Sequence, residues 1–341
     1  MGVEVKRIKL SFVPGLEIEF TDRDKAIKQV IEFGQRGTRT PVVVYGPEGC
    51  GKTAWLKQAA EVLNALKFDA IYINVLQREY VVNIDVKEIT KELLEIITNA
   101  MNYPAIKLAE LVIQLAKDLI KRLRKKVAIL VDEVFQAIGL ERAEAYVKSL
   151  LNLIEYPPEP YENIVIIVAT SEGFSRWRIG RHRWAEIMPM WNMSRKGFEE
   201  LYERIPGQKP SFDEVWRLTG GNPYMLAQLY AINWRTTKII DTLMDEKKLT
   251  PGFISKWRKW LELAVEDPDN LWGADVPEEL VNELIERNLI VYFLRDRDPE
   301  IWVDEPPPEK DPEIGIGRYV AWQTPLHREA VRKVLGGCRY M

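Results

Sequence analysis

Apolar residues in the first half of the chain come in short unbroken runs. They are "PVVVYG" (41–46), "DAIYINV" (69–75), "VAILVDEV" (127–134), "NIVIIVAT" (163–170) and the shorter "AEIMPM" (185–190). Runs of this length without polar alternation predict strands buried on both faces, as in a parallel sheet covered by helices. Helical spacing lies between and before them, over 21–35, from Lys52 to about 66, from Asp85 to about 126 with a break at "NYP" (102–104), and over 141–155. Asp85 with Glu88 three residues on has the form of a capping box opening the third of these helices.

After Met193 the pattern turns helical. Ser194 and Ser211 precede helical runs as N-caps, Ser211 with Glu214 as a box, and "TGGNP" (219–223) is a marked turn with Pro223 in the first turn of the next helix. From 270 the order changes again. A helix over 277–288, a strand at 289–294, an acidic proline-rich loop at 304–315, a strand at 318–323 and a helix over 325–335 form the pattern of a winged helix. The expected organisation is therefore an α/β domain over 1–193, an all-helical domain over 194–269 and a winged-helix domain over 270–341. No repeat of solenoid period is visible.

Composition adds bounds. With 46% hydrophobic and 29% charged residues the chain is globular rather than disordered. The two cysteines, Cys50 and Cys338, fit no metal or redox spacing and point to a reducing cytoplasm. The start is too charged and short of apolar residues for a signal peptide and lacks the myristoylation pattern, and no apolar run approaches the ~20 residues of a membrane span. Net charge is −3, but residues 270–341 hold nine Lys/Arg against fourteen Asp/Glu, a local net of −5. That weighs against DNA as the partner of this segment, since a phosphate-gripping surface needs clustered positive charge.

The chemistry concentrates after the first apolar run. "GPEGCGKT" (46–53) matches G-x-x-x-x-G-K-[ST], between a predicted strand and a predicted helix. Gly46, Pro47, Glu48, Gly49, Cys50 and Gly51 curl so that backbone N–H groups face phosphate, and the helix opening at Lys52, Thr53 and Ala54 adds its positive end. Lys52 reaches the outer phosphates and Thr53 offers a hydroxyl to Mg²⁺. "ILVDEV" (129–134) delivers Asp132 as a second Mg²⁺ group and Glu133 as general base for an attacking water. The expected cofactors are thus ATP or ADP with Mg²⁺, and the activity ATP hydrolysis.

"TSEGFSRWRIGRHRW" (170–184) follows the fourth apolar run. Thr170 or Ser171 there is either a polar sensor of the γ-phosphate or a cap of the following turn. Among Arg176, Arg178, Arg181 and Arg183, one either stabilises phosphate charge (Arg178 is the candidate taken forward) or the loop is solvated, with arginine stems packed on Trp177 or Trp184. His327 in "TPLHREA" is a lone histidine on a helix face, for which a structural role is the ordinary reading.

The order of these motifs resembles the archaeal STAND-type ATPases, a branch of the AAA+-related P-loop NTPases. "FTDRDKAI" (20–27), "VVVYGPEGCGKT", "VAILVDEV", "IVIIVATS" and "TGGNPYML" (219–226) carry the resemblance over most of the chain. It implies a parallel sheet in the order 5-1-4-3-2, a helical lid over the nucleotide and a C-terminal winged helix. It also implies an ATP-driven switch, closed with ADP and open or self-assembled with ATP, acting on protein partners, and it offers His327 a second reading as a contact to the ADP β-phosphate. The chain departs from the family in having Thr170-Ser171-Glu172-Gly173 where Gly-Ser is common, and no sensory repeats are visible. The alternative is a DNA-binding ATPase like the origin-recognition initiators, which also join such a module to a winged helix.

Overall fold

The computed structural model describes residues 5–123, 125–171, 173, 178–292, 294 and 296–337. The chain divides into two compact units. The first comprises residues 1–10, 23–45 and 52–189, the second residues 11–22, 46–51 and 190–341.

The first unit is built on a six-stranded sheet. Its strands are β3 (Val42–Tyr45), β4 (Asp69–Asn74), β5 (Glu79–Asn83), β6 (Lys126–Asp132), β7 (Asn163–Thr170) and β8 (Glu186–Pro189), ordered β5-β4-β6-β7-β3-β8. All neighbours are parallel except β5, which runs antiparallel to β4 at one edge. The apolar runs therefore correspond to the parallel strands. β5 was not foreseen, because "EYVVN" is short and starts and ends in polar residues.

Helices flank this sheet. They are α1 (Asp24–Arg36), α2 (Lys52–Ala65), α3 (Lys87–Ala100), α4 (Ala105–Leu123), α5 (Val134–Ile138) and α6 (Leu140–Glu155). Alternate strand residues sort between the faces with the period of two that a strand imposes. Ile71, Ile73, Ile129, Val131, Ile166 and Val168 share a core with α3 to α6, while α1 and α2 pack together and α2 also packs on β4 and β6. The expected box at Asp85 does not form. α3 starts at Lys87 with Val86 as N-cap and no side-chain cap. Asp69 Oδ1 holds the Asp85 amide (3.1 Å), and the Thr90 hydroxyl donates to the carbonyls of Ile84 and Val86 instead.

β1 (Lys9–Val13), whose residues from Ser11 on belong to the second unit, and β2 (Leu16–Glu19) form a two-stranded sheet that the pattern also missed. Ile18 of β2 packs with Phe198, Leu201, Val215 and Leu226. These come from α7 (Arg195–Glu203), α8 (Phe212–Thr219) and α9 (Pro223–Ala231). The caps fall where expected: Ser194 accepts from the Gly197 amide and Ser211 from the Glu214 amide. Asn222 accepts from the Met225 amide, with Pro223 in the first turn.

α10 (Thr236–Glu246) and α11 (Pro251–Glu266) both pack on the last helix, α13 (Pro325–Gly337), so helices on either side of the expected boundary at 269 join in one unit. Between α11 and α13 lie α12 (Glu278–Glu286) and the antiparallel pair β9 (Ile290–Tyr292) and β10 (Val320–Trp322). The long connection between these strands folds onto the unit. Trp302, Ile314 and Ile316 are buried with Trp191 and Ala321. Arg297 donates to the carbonyls of Pro308, Glu309, Gly317 and Arg318, and Asp269 accepts from the amides of Arg318, Tyr319 and Val320. Among the described residues no helix is long and apolar enough to cross a membrane.

Trp302→Ala tests whether this connection is core. Emptying such a site costs about 3–5 kcal/mol, so the urea midpoint followed by far-ultraviolet circular dichroism should fall. An unchanged midpoint would mean the connection contributes no packing.

Candidate functional site

β6 is apolar and buried from Val127 to Val131, so the sheet carries Asp132 to the carboxyl end of the parallel strands. Asp132 is fully buried. Its Oδ2 accepts from Thr53 Oγ1 (2.6 Å), Asn74 Nδ2 (3.0 Å) and the Tyr72 hydroxyl (3.2 Å). Its Oδ1 is also buried and has no hydrogen-bond partner among the described residues. Burial pushes the Asp132 carboxyl up from the ordinary carboxylate value, opposed by the Thr53 bond and the Lys52 charge.

Glu133 stands just past the strand, with φ of 53° and its amide donating to the Ala169 carbonyl of β7 (3.0 Å). Ser171, leaving β7, donates to the Glu133 carboxylate twice, from its hydroxyl (2.8 Å) and its amide (3.3 Å). Gln136 donates in turn to the Ser171 hydroxyl (3.3 Å). Burial raises the Glu133 carboxyl. Lys52 opposes that, Asp132 adds to it, and the Ser171 bonds lower it. Lys52, at the start of α2, is only 4% exposed. Lys52, Thr53, Asp132, Glu133 and Ser171 thus lie in one group. Thr170 is buried within β7, paired in register with Tyr45.

An orphaned carboxylate oxygen beside a hydroxyl is the donor chemistry of a hard divalent cation such as Mg²⁺, which takes one or two protein oxygens and completes its shell with water and phosphate oxygens. Among the described residues no group of three or more His, Cys, Asp or Glu could hold a metal by itself. Thr53 and Asp132 fit the first kind of site.

The loop between β3 and α2, residues 46–51, belongs to the second unit and is anchored there. A Cβ at Gly46 would lie 1.9 Å from the Met190 carbonyl oxygen, and Gly49 (φ +75°) has no room beside Tyr224. Glu48 is held at three points. Its amide donates to Gln323 Oε1 (2.9 Å), its carbonyl accepts from Asn222 Nδ2 (2.8 Å), and its carboxylate pairs with Lys247 Nζ (3.1 Å). The Tyr224 amide, next to Pro223, donates to the Gly49 carbonyl (3.3 Å). Cys50 is buried with Sγ 3.8 Å from the Met190 carbonyl. The Gly-Gly-Asn-Pro turn therefore meets the loop through Asn222 and the Tyr224 amide.

The arginine loop is less committed. Arg176 and Trp177 lie outside the described residues. Arg178, Arg181 and Arg183 are exposed. No hydrogen bond or ion pair ties the Arg178 side chain to the carboxylate group among the described residues. His182 stacks on Trp184 (4.0 Å, 13°), with Lys148 over the same ring. His327 is buried, its Nδ1 2.8 Å from the Thr324 hydroxyl, and burial with the nearby Lys247 charge pushes it down to about 3. Sequence reasoning missed Tyr72, Asn74, Asn192, Lys247 and Gln323. Asn74 and Gln323 left a trace, each a polar residue closing an apolar strand; the other three left none.

A family model for an ATPase domain predominantly from Archaea matches residues 20–229. No curated protein matches the chain. Solved structures with a similar course include a DNA replication initiation factor (15% identity, 77% of this chain and 75% of that one, TM-score 0.37). Others are AMPPCP-bound DnaA from Aquifex aeolicus (16%, 92% and 87%, TM-score 0.36) and a RuvB point mutant from Thermotoga maritima (11%, 82% and 94%, TM-score 0.35). Likeness at that level carries no argument about what this chain binds.

Ser171→Ala should raise the Glu133 carboxyl further, since it removes a hydroxyl that favours the charged form. A carboxyl-carbon NMR titration would show the midpoint moving to higher pH. No movement would mean that the Ser171 hydroxyl does not hold Glu133 in solution.

Proposed function

Because the chain belongs to the ATPase domain family found predominantly in Archaea, we propose that this P-loop ATPase is a STAND-type switch. In this reading it uses ATP binding and hydrolysis to change how its C-terminal segment engages protein partners. What carries the switch is Glu48. A residue of the phosphate-binding loop is gripped by Asn222 at the start of α9, by Lys247 just after α10 and by Gln323 just after β10. The loop cannot adjust to a change in its ligand without disturbing those three bonds.

Each side chain has a task in this scheme. The amides of 46–54 bind the phosphates, Lys52 neutralises the outer ones, and Thr53 with Asp132 holds Mg²⁺. The cation, when bound, supplies charge neutralisation on the transferred phosphoryl group. Glu133 takes the proton of the attacking water. Its raised affinity for protons makes it a better base once ionised, and the Ser171 bonds keep it aligned. An exposed Arg178 fits a role in trans, on the nucleotide of a self-assembled neighbour, better than one in its own site. The segment 270–341, with α12, β9, β10 and α13, is read as a winged helix. Its net of −5 favours a protein partner over DNA.

Three substitutions test the scheme. Lys52→Ala should weaken nucleotide binding. Glu133→Gln should keep ATP binding and lower steady-state hydrolysis by about 10²-fold or more, and normal turnover would remove Glu133 as the base. Gln323→Leu should release a fluorescent ADP analogue roughly three- to tenfold faster in stopped flow, the worth of one hydrogen bond. A release rate equal to wild type would mean that Gln323 does not brace the loop. In the pH profile of kcat, activity should fall as Glu133 is protonated, with the midpoint above the ordinary carboxylate range because the group is raised.

A further inference from the structure

The two oxygens of Asp132 are treated unequally. Three donors converge on Oδ2, and buried Oδ1 receives none among the described residues. An ionised carboxylate offers about four lone-pair sites over both oxygens, so the crowding of one oxygen is a matter of placement. Only one donor, Thr53, comes from the phosphate-binding motif. The other two belong to β4.

The sheet explains how they reach it. Asn74 pairs in register with Asp132, and Tyr72, two residues earlier, lies on the same face of the strand. Asn74 is fixed at its other end, where Oδ1 accepts from the amides of Leu76 (3.1 Å) and Gln77 (2.8 Å). Its Nδ2 therefore has a set direction. The terminal torsion of an aspartate is soft and roughly two-fold, so without such donors the two oxygens exchange places readily.

We propose that Tyr72 and Asn74 are positioning residues that hold Asp132 with Oδ1 as the oxygen offered to a divalent cation. The proposal rests on the reading of Thr53 and Asp132 as the cation pair. It accounts for the Thr53 bond as well, since a hydroxyl that gives its proton to Oδ2 keeps its lone pairs for the metal. Neither Tyr72 nor Asn74 needs to touch nucleotide or metal.

The test uses the full chain saturated with ADP and Mn²⁺ as the probe, with free Mn²⁺ read by electron paramagnetic resonance. Tyr72→Phe keeps the ring and removes one donor; Tyr72→Phe with Asn74→Ala removes both. The Mn²⁺ dissociation constant should rise about tenfold in the single variant and further in the double, the usual scale for loss of a ligand's supporting bond. Metal-free ADP affinity should stay at the wild-type value. Mn²⁺ affinity at the wild-type value in Tyr72→Phe would overturn the proposal, and that variant suffices if thermal melting shows the double one unfolded. Wild-type protein that binds ADP but no Mn²⁺ would overturn the underlying cation-site reading instead.

Discussion

Two adjacent carboxylates, Asp132 buried and Glu133 half-buried, stand at the end of β6, and much of the first unit serves to make that tolerable. An uncompensated buried charge costs several kcal/mol. Compensation comes from different directions for each. Asp132 is bonded from α2 and β4, Glu133 from the residue after β7. Lys52 supplies the opposite charge for both. The three strands must therefore keep their register to within one residue, and backbone bonds close the arrangement: the Val75 amide donates to the Asp132 carbonyl and the Glu133 amide to the Ala169 carbonyl. The compensation stops short at one carboxylate oxygen, Asp132 Oδ1, which is buried and has no hydrogen-bond partner among the described residues. In the proposed mechanism stability and catalysis draw on the same bonds, so changes to the supporting residues move both.

The phosphate-binding loop poses a different constraint. Loops of this type expose amides to a ligand, and their own carbonyls and side chains need partners elsewhere. Here those partners lie in the second unit. Asn222 links Glu48 to Asn192, whose Nδ2 donates to the main-chain carbonyl of Gln323 (3.2 Å), so two buried amide side chains form one run of hydrogen bonds between the loop and the residue after β10. Buried polar networks of this kind have few alternative arrangements. That discreteness is what the proposed switch would use, since a continuously yielding contact would transmit nothing.

Much of the fold was legible because its signals are local. Unbroken apolar runs mark strands buried on both faces, and the caps at Ser194, Ser211 and Asn222 are read from residue type and spacing. What escaped is what depends on partners. β5 has no burial pattern of its own and exists because it completes the edge beside β4. Asp85 has the sequence of a cap, yet Asp69 claims its amide. The acidic connection before β10 has the composition of a free wing, but Trp302, Ile314 and Ile316 pin it down. At the candidate site, Lys52, Thr53, Asp132 and Glu133 stood out in the sequence because phosphate chemistry dictates their types and order. Tyr72 and Gln323 were not, because a hydroxyl or amide on a distant strand carries no mark of where the sheet will deliver it. The arginine stretch stays divided: Arg176 lies outside the described residues, and His182 and Lys148 pack on Trp184 as a structural loop would.

Hydrogen–deuterium exchange of the full chain, with ADP and with ATP held by Glu133→Gln, tests most directly the claim that the loop reports its ligand through Glu48. The account predicts that protection at residues 46–51 and at 320–327 changes together between the two states. Protection that changes at 46–51 while 320–327 stays the same would contradict it.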